Sequence, residues 1–216
     1  MSIQTDPRRI NVIAKLAFAP IYPYLAQQIK DKFGFTDGIC VDIGSGPGSL
    51  AIATARITNL TLFSLDIQPE MASIAQDNIA EAGLSSRIHT ITADVCRLPF
   101  EDSSVDLVIS RGSIFFWEDR VAAFHEIYRI LKRGGVAYCG NGMGNEEIKT
   151  QVMAAFSTNE MLKAEKEAWQ EMVGNISQKL NPEGLQAELA RAQVPGTVVR
   201  ENGGLWVQII KKLRQD

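Results

Sequence analysis

The chain has 216 residues, 45% hydrophobic and 22% charged, with a net charge of −3. This is the profile of an ordinary globular domain with room for a sizeable core, and it excludes a global field that attracts nucleic acid. No apolar stretch reaches the roughly 18 residues of a membrane span, and the polar segment 1–9 lacks an apolar signal core, so a cytoplasmic location is expected.

Residues 9–33 read as helical with a break around Pro20 and Pro23, since proline disfavours an uninterrupted helix. Tyr22 and Tyr24 sit at that break. The segment either packs on a sheet edge through Leu25, Ile29 and Phe33 or covers a ligand with a tyrosine. Next comes Val41-Asp42-Ile43-Gly44-Ser45-Gly46-Pro47-Gly48-Ser49. Its alternate apolar residues run into glycines and then at once into a helical pattern, so it reads as a buried strand turning into a helix. Glycine there can take positive φ and lets a ligand approach the backbone. The helix N-terminus beyond offers free N–H groups and partial positive charge. A dinucleotide fingerprint would place its third glycine at Ser49. Here the glycines alternate instead, and Asp42 would face a pyrophosphate badly but a cationic amino group well.

Leu50–Arg56 continues as helix, and the apolar run Leu60–Leu65 ends at Asp66. That acid lies a little over 20 residues past the glycines, where doubly wound folds place a carboxylate on ribose hydroxyls; a helix N-cap is the alternative. Pro69–Gly83 reads as a helix with Met71, Ile74, Ala75, Ile79 and Ala82 on one face. Arg87–Thr92 alternates as a strand and leads to a third acid in Ala93-Asp94-Val95, with His89 structural. Ser104–Ser110 is a fourth strand. Phe115, Phe116 and Trp117 after it are too apolar for a surface loop, and should line a cavity or pack under a cover. Glu118–Lys132 follows as a helix with inner stripe Val121, Phe124, Tyr128 and Leu131, leaving His125 offset. The stop at Leu131–Gly135 opens a strand, Val136–Gly140. Helical stretches over about 146–172 and 182–193 precede a hairpin of Thr197–Arg200 with Leu205–Ile210. Lys211, Lys212 and Arg214 read as a solvated tail. Cys40, Cys96 and Cys139 show no metal spacing, so no metal is expected.

Strands and helices alternate five times before the hairpin. The fold class is therefore α/β: a doubly wound sheet of five parallel strands plus a C-terminal antiparallel hairpin, seven strands in all, with helices on both faces. Ligands in such sheets sit beyond the carboxyl ends of the strands. The glycines, Asp66, Asp94 and Ser110-Arg111-Gly112 all follow strand ends and converge on one crevice.

Val41–Gly48, Leu65-Asp66, Ala93-Asp94 and Leu131-Lys132-Arg133-Gly134-Gly135 together resemble a class I S-adenosylmethionine-dependent methyltransferase of the broad branch that includes quinone-biosynthesis enzymes. The likeness covers roughly residues 38–140; Lys132-Arg133-Gly134-Gly135 departs from the usual Lys-Pro-Gly-Gly only in a turn. Ser110–Asp119 is similar to a segment of small, functionally undefined prokaryotic methyltransferases. The resemblance implies a Rossmann-like domain over 1–216. Its parts would be an N-terminal helical lid (1–35), a cofactor-binding core (38–140), a helical substrate cover (141–195) and a closing hairpin (196–212).

The implied cofactor is S-adenosyl-L-methionine, leaving S-adenosyl-L-homocysteine as product. The resemblance assigns Asp42, Gly44, Ser45, Gly46 and Gly48 to the methionine part and Asp66 to the ribose. Ile67 would pack on adenine, Asp94 with Val95 would meet its amino group, and Ser110, Arg111 and Gly112 would lie near the amino acid end. Tyr22 and Met71 complete that set, and Tyr24, Phe115, Phe116 and Trp117 form the expected substrate pocket. The implied reaction is in-line methyl transfer to an oxygen, nitrogen, carbon or sulfur nucleophile of a small molecule, with no nucleic acid partner. A sulfonium methyl is already activated, so proximity and exclusion of water can supply most of the catalysis. Aromatic faces would favour the cation. Tyr22, Glu118, Asp119 and His125 are the side chains available as a base, none singled out. The segment after the fourth strand lacks the Asn/Asp-Pro-Pro-Tyr/Phe signature of enzymes that methylate amide or adenine nitrogens. The alternatives are a non-catalytic S-adenosylmethionine-binding regulator and, disfavoured by Asp42 and the glycine spacing, an NAD-dependent oxidoreductase.

Overall fold

The computed structural model describes residues 6–163, 166 and 180–213. The apolar runs form β1 (Ile39–Ile43), β2 (Thr61–Asp66), β3 (Ile88–Thr92), β4 (Val105–Arg111) and β5 (Leu131–Asn141). The hairpin supplies β6 (Gly196–Glu201) and β7 (Gly204–Ile210). They make one sheet ordered β3-β2-β1-β4-β5-β7-β6. The first five pair in parallel, β7 runs against β5, and β6 runs against β7. Strand order reverses between β1 and β4, and this leaves a crevice at their carboxyl ends.

Both faces of the sheet are covered, which is why its strands read as near-continuous apolar runs. Val41, Ile43 and Val108 enter one apolar layer, with Phe124 and Ile127 of α5 (Arg120–Ile130) and Leu189 of α7 (Pro182–Arg191). Cys40, Leu107 and Ile109 enter the other, with residues of α2 (Ile21–Phe33), α3 (Ser49–Ile57) and α4 (Pro69–Glu81). A third cluster joins Ile13 of α1 (Pro7–Leu16), Ala17 and Ile21 to Val152 and Phe156 of α6 (Glu146–Thr158). The two segments flanking the core therefore pack on each other.

Local chemistry explains the helix boundaries. Asp6 caps α1, its carboxylate accepting from the Arg8 N–H at 3.0 Å, and Pro7 takes the first helical position. The expected break falls at residues 17–20, and Pro23 sits in the first turn of α2, where its missing N–H is not needed. The hairpin turn is Asn202-Gly203, at φ +50° and +67°, a two-residue turn whose twist matches the strands.

Three expectations are corrected. The fifth helix stops at Ile130, because Leu131 already pairs with Val105; the buried stripe is Ala123, Phe124, Ile127 and Ile130, with Val121 and Tyr128 only partly buried. Lys211 is no solvated tail: its ammonium donates to the Tyr128 carbonyl (3.0 Å) and lies over the Tyr128 ring, placing a cation at the carboxyl end of α5. The helix expected over 146–172 breaks at Asn159, where α6 ends, with residues 160–163 helical again; its far end lies outside the described residues, as does Arg214. No helix among the described residues is long and apolar enough to cross a membrane.

Candidate functional site

After β1 the chain turns through Gly44, Gly46 and Gly48 at φ +61°, +55° and +79°. Beyond its backbone angle, Gly44 has a steric reason to be glycine: a Cβ there would overlap the side chain of Ser113. Ser113 Oγ donates to the Ile43 carbonyl (3.1 Å), accepts from Trp117 Nε1 (3.1 Å) and shares a 2.6 Å bond with Ser110 Oγ. On the other side the Ser45 N–H donates to the Leu65 carbonyl (2.9 Å), and Ser45 Oγ lies 2.7 Å from Ser64 Oγ. The loop is thus pinned to β2 on one flank and to the segment after β4 on the other. The sequence reading missed Ser113, for which the only available signal was a small residue where two strand-end loops must touch.

Asp42 is 1% exposed, and its Oδ2 accepts from the Ala51 N–H at 3.1 Å, in the first turn of α3. Burial pushes its carboxyl up to about 8; the Ala51 N–H opposes the shift and the charge of Asp66 adds to it. Asp66, at the end of β2, accepts from the Gly46 and Gln68 N–H groups, each at 3.0 Å. Burial raises its pKa, with the N–H groups of Gln68, Gly46 and Ile67 pulling it back. Ile67 beside it is 62% exposed. Asp94 is exposed and accepts from the Cys96 N–H (2.8 Å), while Val95 and Met71 are buried.

Tyr22 and Arg111 meet at the far side of the same crevice. The Arg111 guanidinium lies over the Phe18 ring (4.6 Å) and the Tyr22 ring (5.7 Å), and its Nε donates to the Gly142 carbonyl (3.2 Å). Burial lowers the pKa of Arg111 and raises that of Tyr22. Arg111 and Ser49 hold the Tyr22 hydroxyl down, and Asp42 pushes it up, so Tyr22 stands between an acid and a base.

The other expected residues scatter. Trp117 is 7% exposed and packs edge-on against Phe124, so it belongs to the core and not to a pocket wall. Tyr24 Oη donates to Asn202 Oδ1 (3.4 Å), tying α2 to the hairpin turn. Phe115 lines a cleft of about 440 Å³ with Asn141, Leu180, Arg200 and Leu205, and Phe116 is 39% exposed. Asp119 caps α5, accepting from the Ala122 N–H (3.0 Å), and Glu118 is exposed. His125 is exposed in a groove with Cys96, Glu126 and Arg191, which no residue of the glycine loop lines. Of the four side chains named as bases, only Tyr22 borders the loop. Among the described residues no cluster of three His, Cys, Asp or Glu could hold a metal ion.

Residues 41–139 match the methyltransferase-domain family. A solved structure from Methanococcus maripaludis, described as a candidate S-adenosyl-L-methionine-dependent methyltransferase, is 38% identical with a TM-score of 0.87. The match covers 100% of this chain and 99% of that one. Sterol 4-C-methyltransferase of Caenorhabditis elegans is 32% identical over 108 residues, 50% of this chain and 32% of its own length. Malonyl-[acyl-carrier protein] O-methyltransferase of Marinomonas sp. is 32% identical over 98 residues, 45% of this chain and 35% of its own length. The aligned region thus spans under half the length of the curated relatives. With the full-length likeness to the Methanococcus protein, this chain belongs to the S-adenosylmethionine-dependent methyltransferases, an enzyme family whose methyl donor is S-adenosylmethionine.

Proposed function

We propose that this chain transfers the methyl group of S-adenosylmethionine to a small molecule, in the cytoplasm, with the acceptor seated in the cleft beside Phe115 and the hairpin. The observation that carries this reading is the Gly44–Gly48 loop, held in its turn conformation by Ser113 and Asp66. A loop already fixed needs little reorganisation to take a ligand against its backbone. The surrounding residues fit the donor. Both Asp66 oxygens retain acceptor capacity for vicinal hydroxyls. Ile67 offers an apolar platform, with Asp94 and Val95 on the adenine side.

When bound, the donor supplies a methyl on a positively charged sulfur. What remains for the chain is to hold the acceptor close and keep water away. Residues 7–33 and 146–162, joined through Ile13, Ile21, Val152 and Phe156, are suited to that covering role. The named methyltransferases among the relatives, a sterol 4-C-methyltransferase and a malonyl-[acyl-carrier protein] O-methyltransferase, support an acceptor methylated at carbon or oxygen. Calorimetry against S-adenosylhomocysteine and NAD tests the donor. Binding of NAD without S-adenosylhomocysteine would overturn the assignment. A metabolite screen with labelled methyl donor then identifies the acceptor, and the absence of any labelled product would favour a binding protein without turnover.

A further inference from the structure

At the outer end of the sheet, strand pairing sets Asn141 of β5 opposite Leu205 of β7, and Leu205 opposite Arg200 of β6. Residues directly opposite in an antiparallel pair share a face. The three therefore form one row, on the face whose apolar layer holds Val198, Val207 and Ile209. Phe115 and Leu180 pack against that layer and, with the row, line the cleft of about 440 Å³. That volume is within the ordinary range for a small-molecule site.

The cleft is apolar except for one uncompensated charge. Arg120 and Arg129 are bound to the carboxylates of Glu188 and Glu126. Arg200 is exposed and, among the described residues, neither it nor the Asn141 side chain is held by a hydrogen bond or ion pair. The acid next to it in the chain, Glu201, alternates to the opposite face of β6. There Tyr138 Oη donates to its carboxylate at 2.8 Å and Lys32 pairs with it. A guanidinium presents N–H donors in a planar fork that matches the two oxygens of a carboxylate. One cation beside apolar walls suits a monoanion, whereas a phosphate dianion would leave charge unmatched there.

The row also gives the site a direction. Neighbouring strands lie about 4.8 Å apart, so β6 stands roughly 10 Å beyond β5. Phe115 follows Ser113, whose side chain a Cβ on Gly44 would overlap, so the Phe115 end of the cleft adjoins the glycine loop. Arg200 stands at the other end, on the edge strand of the sheet.

We propose that the cleft selects an amphipathic organic acid as methyl acceptor. Arg200 takes its carboxylate, Phe115, Leu180 and Leu205 take its apolar body, and the methyl goes to a nucleophile at the opposite end. This assignment rests on the methyl-transfer reading above. The acceptor's nucleophile bonds to the methyl as the methyl–sulfur bond breaks, the electron pair staying on sulfur and any proton of the nucleophile passing to water. The carboxylate is unchanged. Arg200 is thus a specificity residue that does not touch the reacting atoms.

Calorimetry with octanoate, octanamide and octyl phosphate, in the presence of S-adenosylhomocysteine, tests it on the wild-type chain, Arg200→Gln and Arg200→Lys. The wild type is expected to bind octanoate roughly 5- to 20-fold more tightly than octanamide, the effect of a charged hydrogen bond reduced by solvent screening. Arg200→Gln should lose that preference while keeping its affinities for octanamide and S-adenosylhomocysteine within twofold, which also shows that it folds. Arg200→Lys should retain part of the preference, keeping the charge without the fork. Equal binding of acid and amide by the wild type, a preference that survives Arg200→Gln, tighter binding of octyl phosphate than of octanoate, or no saturable binding of octanoate each overturns the proposal. Any of these with S-adenosylhomocysteine still bound leaves the methyl-transfer reading standing. An acid preference lost in Arg200→Gln on a chain that does not bind S-adenosylhomocysteine refutes that reading and, with it, the acceptor role. The labelled product of the metabolite screen should be an acid, retained by anion exchange at neutral pH; a neutral methyl ester overturns the remote carboxylate.

Discussion

Replacing Asp42 by asparagine is expected to stabilise the ligand-free protein. The side chain is 1% exposed, and its carboxyl moves from 3.8 to about 8 because burial disfavours the charge. Between those two values the folded chain keeps a proton that the unfolded chain has released. Stability therefore falls as pH rises through that window, in the opposite sense to a salt-bridged carboxylate. At about 1.4 kcal/mol per pKa unit, the part of the window below pH 7 corresponds to a loss on the order of 4 kcal/mol, and relaxation around the charge reduces it to ~2–4 kcal/mol. Asparagine has nearly the same shape and keeps an oxygen to accept from the Ala51 N–H, so it removes the buried ionisable group without losing that bond. Urea denaturation of both proteins at several pH values between 4 and 8 measures the difference directly. The gain should be near zero at pH 4 and grow to ~2–4 kcal/mol at pH 7, a rise in Tm of about 5–15 °C for a domain of this size. A difference that is flat with pH, or a variant less stable than the parent at pH 7, would refute the buried-charge account of Asp42.

The other perturbations probe separate links. Asp66→Ala should weaken S-adenosylhomocysteine binding by roughly 1–3 kcal/mol, the penalty for polar groups left unpaired; unchanged affinity in calorimetry would remove Asp66 from the ribose role. Gly44→Ala should destabilise by at least ~2 kcal/mol, combining a left-handed backbone with the overlap on Ser113. A second change, Ser113→Gly, should recover part of that loss in urea melts. Arg120→Ala breaks a two-bond pair joining α5 to α7 whose side chains are 22% and 20% exposed; screening by solvent limits the expected loss to ~1–2 kcal/mol. A double-mutant cycle with Glu188→Ala that shows no coupling would contradict it. His125→Ala should leave turnover within twofold of wild type, and a larger fall would bring the exposed face of α5 into the chemistry.

The order of the elements was legible because it depends on short-range pattern. Apolar runs such as Ile39–Ile43 and Leu107–Ile109 mark strands buried on both faces, and Pro69 and Pro182 mark helix starts. The glycine turn and the acids at the ends of β1 and β2 were legible for the same reason. Contacts that depend on two distant segments meeting were not. Nothing near Ser113 in the chain says that it lies under Gly44, and nothing near Asp42 says that its carboxylate turns toward Ala51. The run Phe115-Phe116-Trp117 announced an apolar patch, but which ring enters the core is decided by the Ser113 hydroxyl and Phe124, both brought there by the fold. Leu131 misled because its helical spacing after Tyr128 agrees with the stripe, whereas its pairing with Val105 wins once β4 is in place. Asp119 could have been read correctly, since an acid just before a helical stripe is more simply an N-cap than a base.

The crevice carries two kinds of polar group, and they differ in what they do to the stability of the fold. Asp66 and Ser113 are engaged by backbone groups and serine hydroxyls, so they stabilise the loop whether or not a ligand is present. Asp42 and Arg111 work in the other direction: burial pushes the carboxyl of the one up and the pKa of the other down, so the charged form of each costs stability where it stands. Keeping such groups beside the glycine loop exchanges stability for the chemistry of the site.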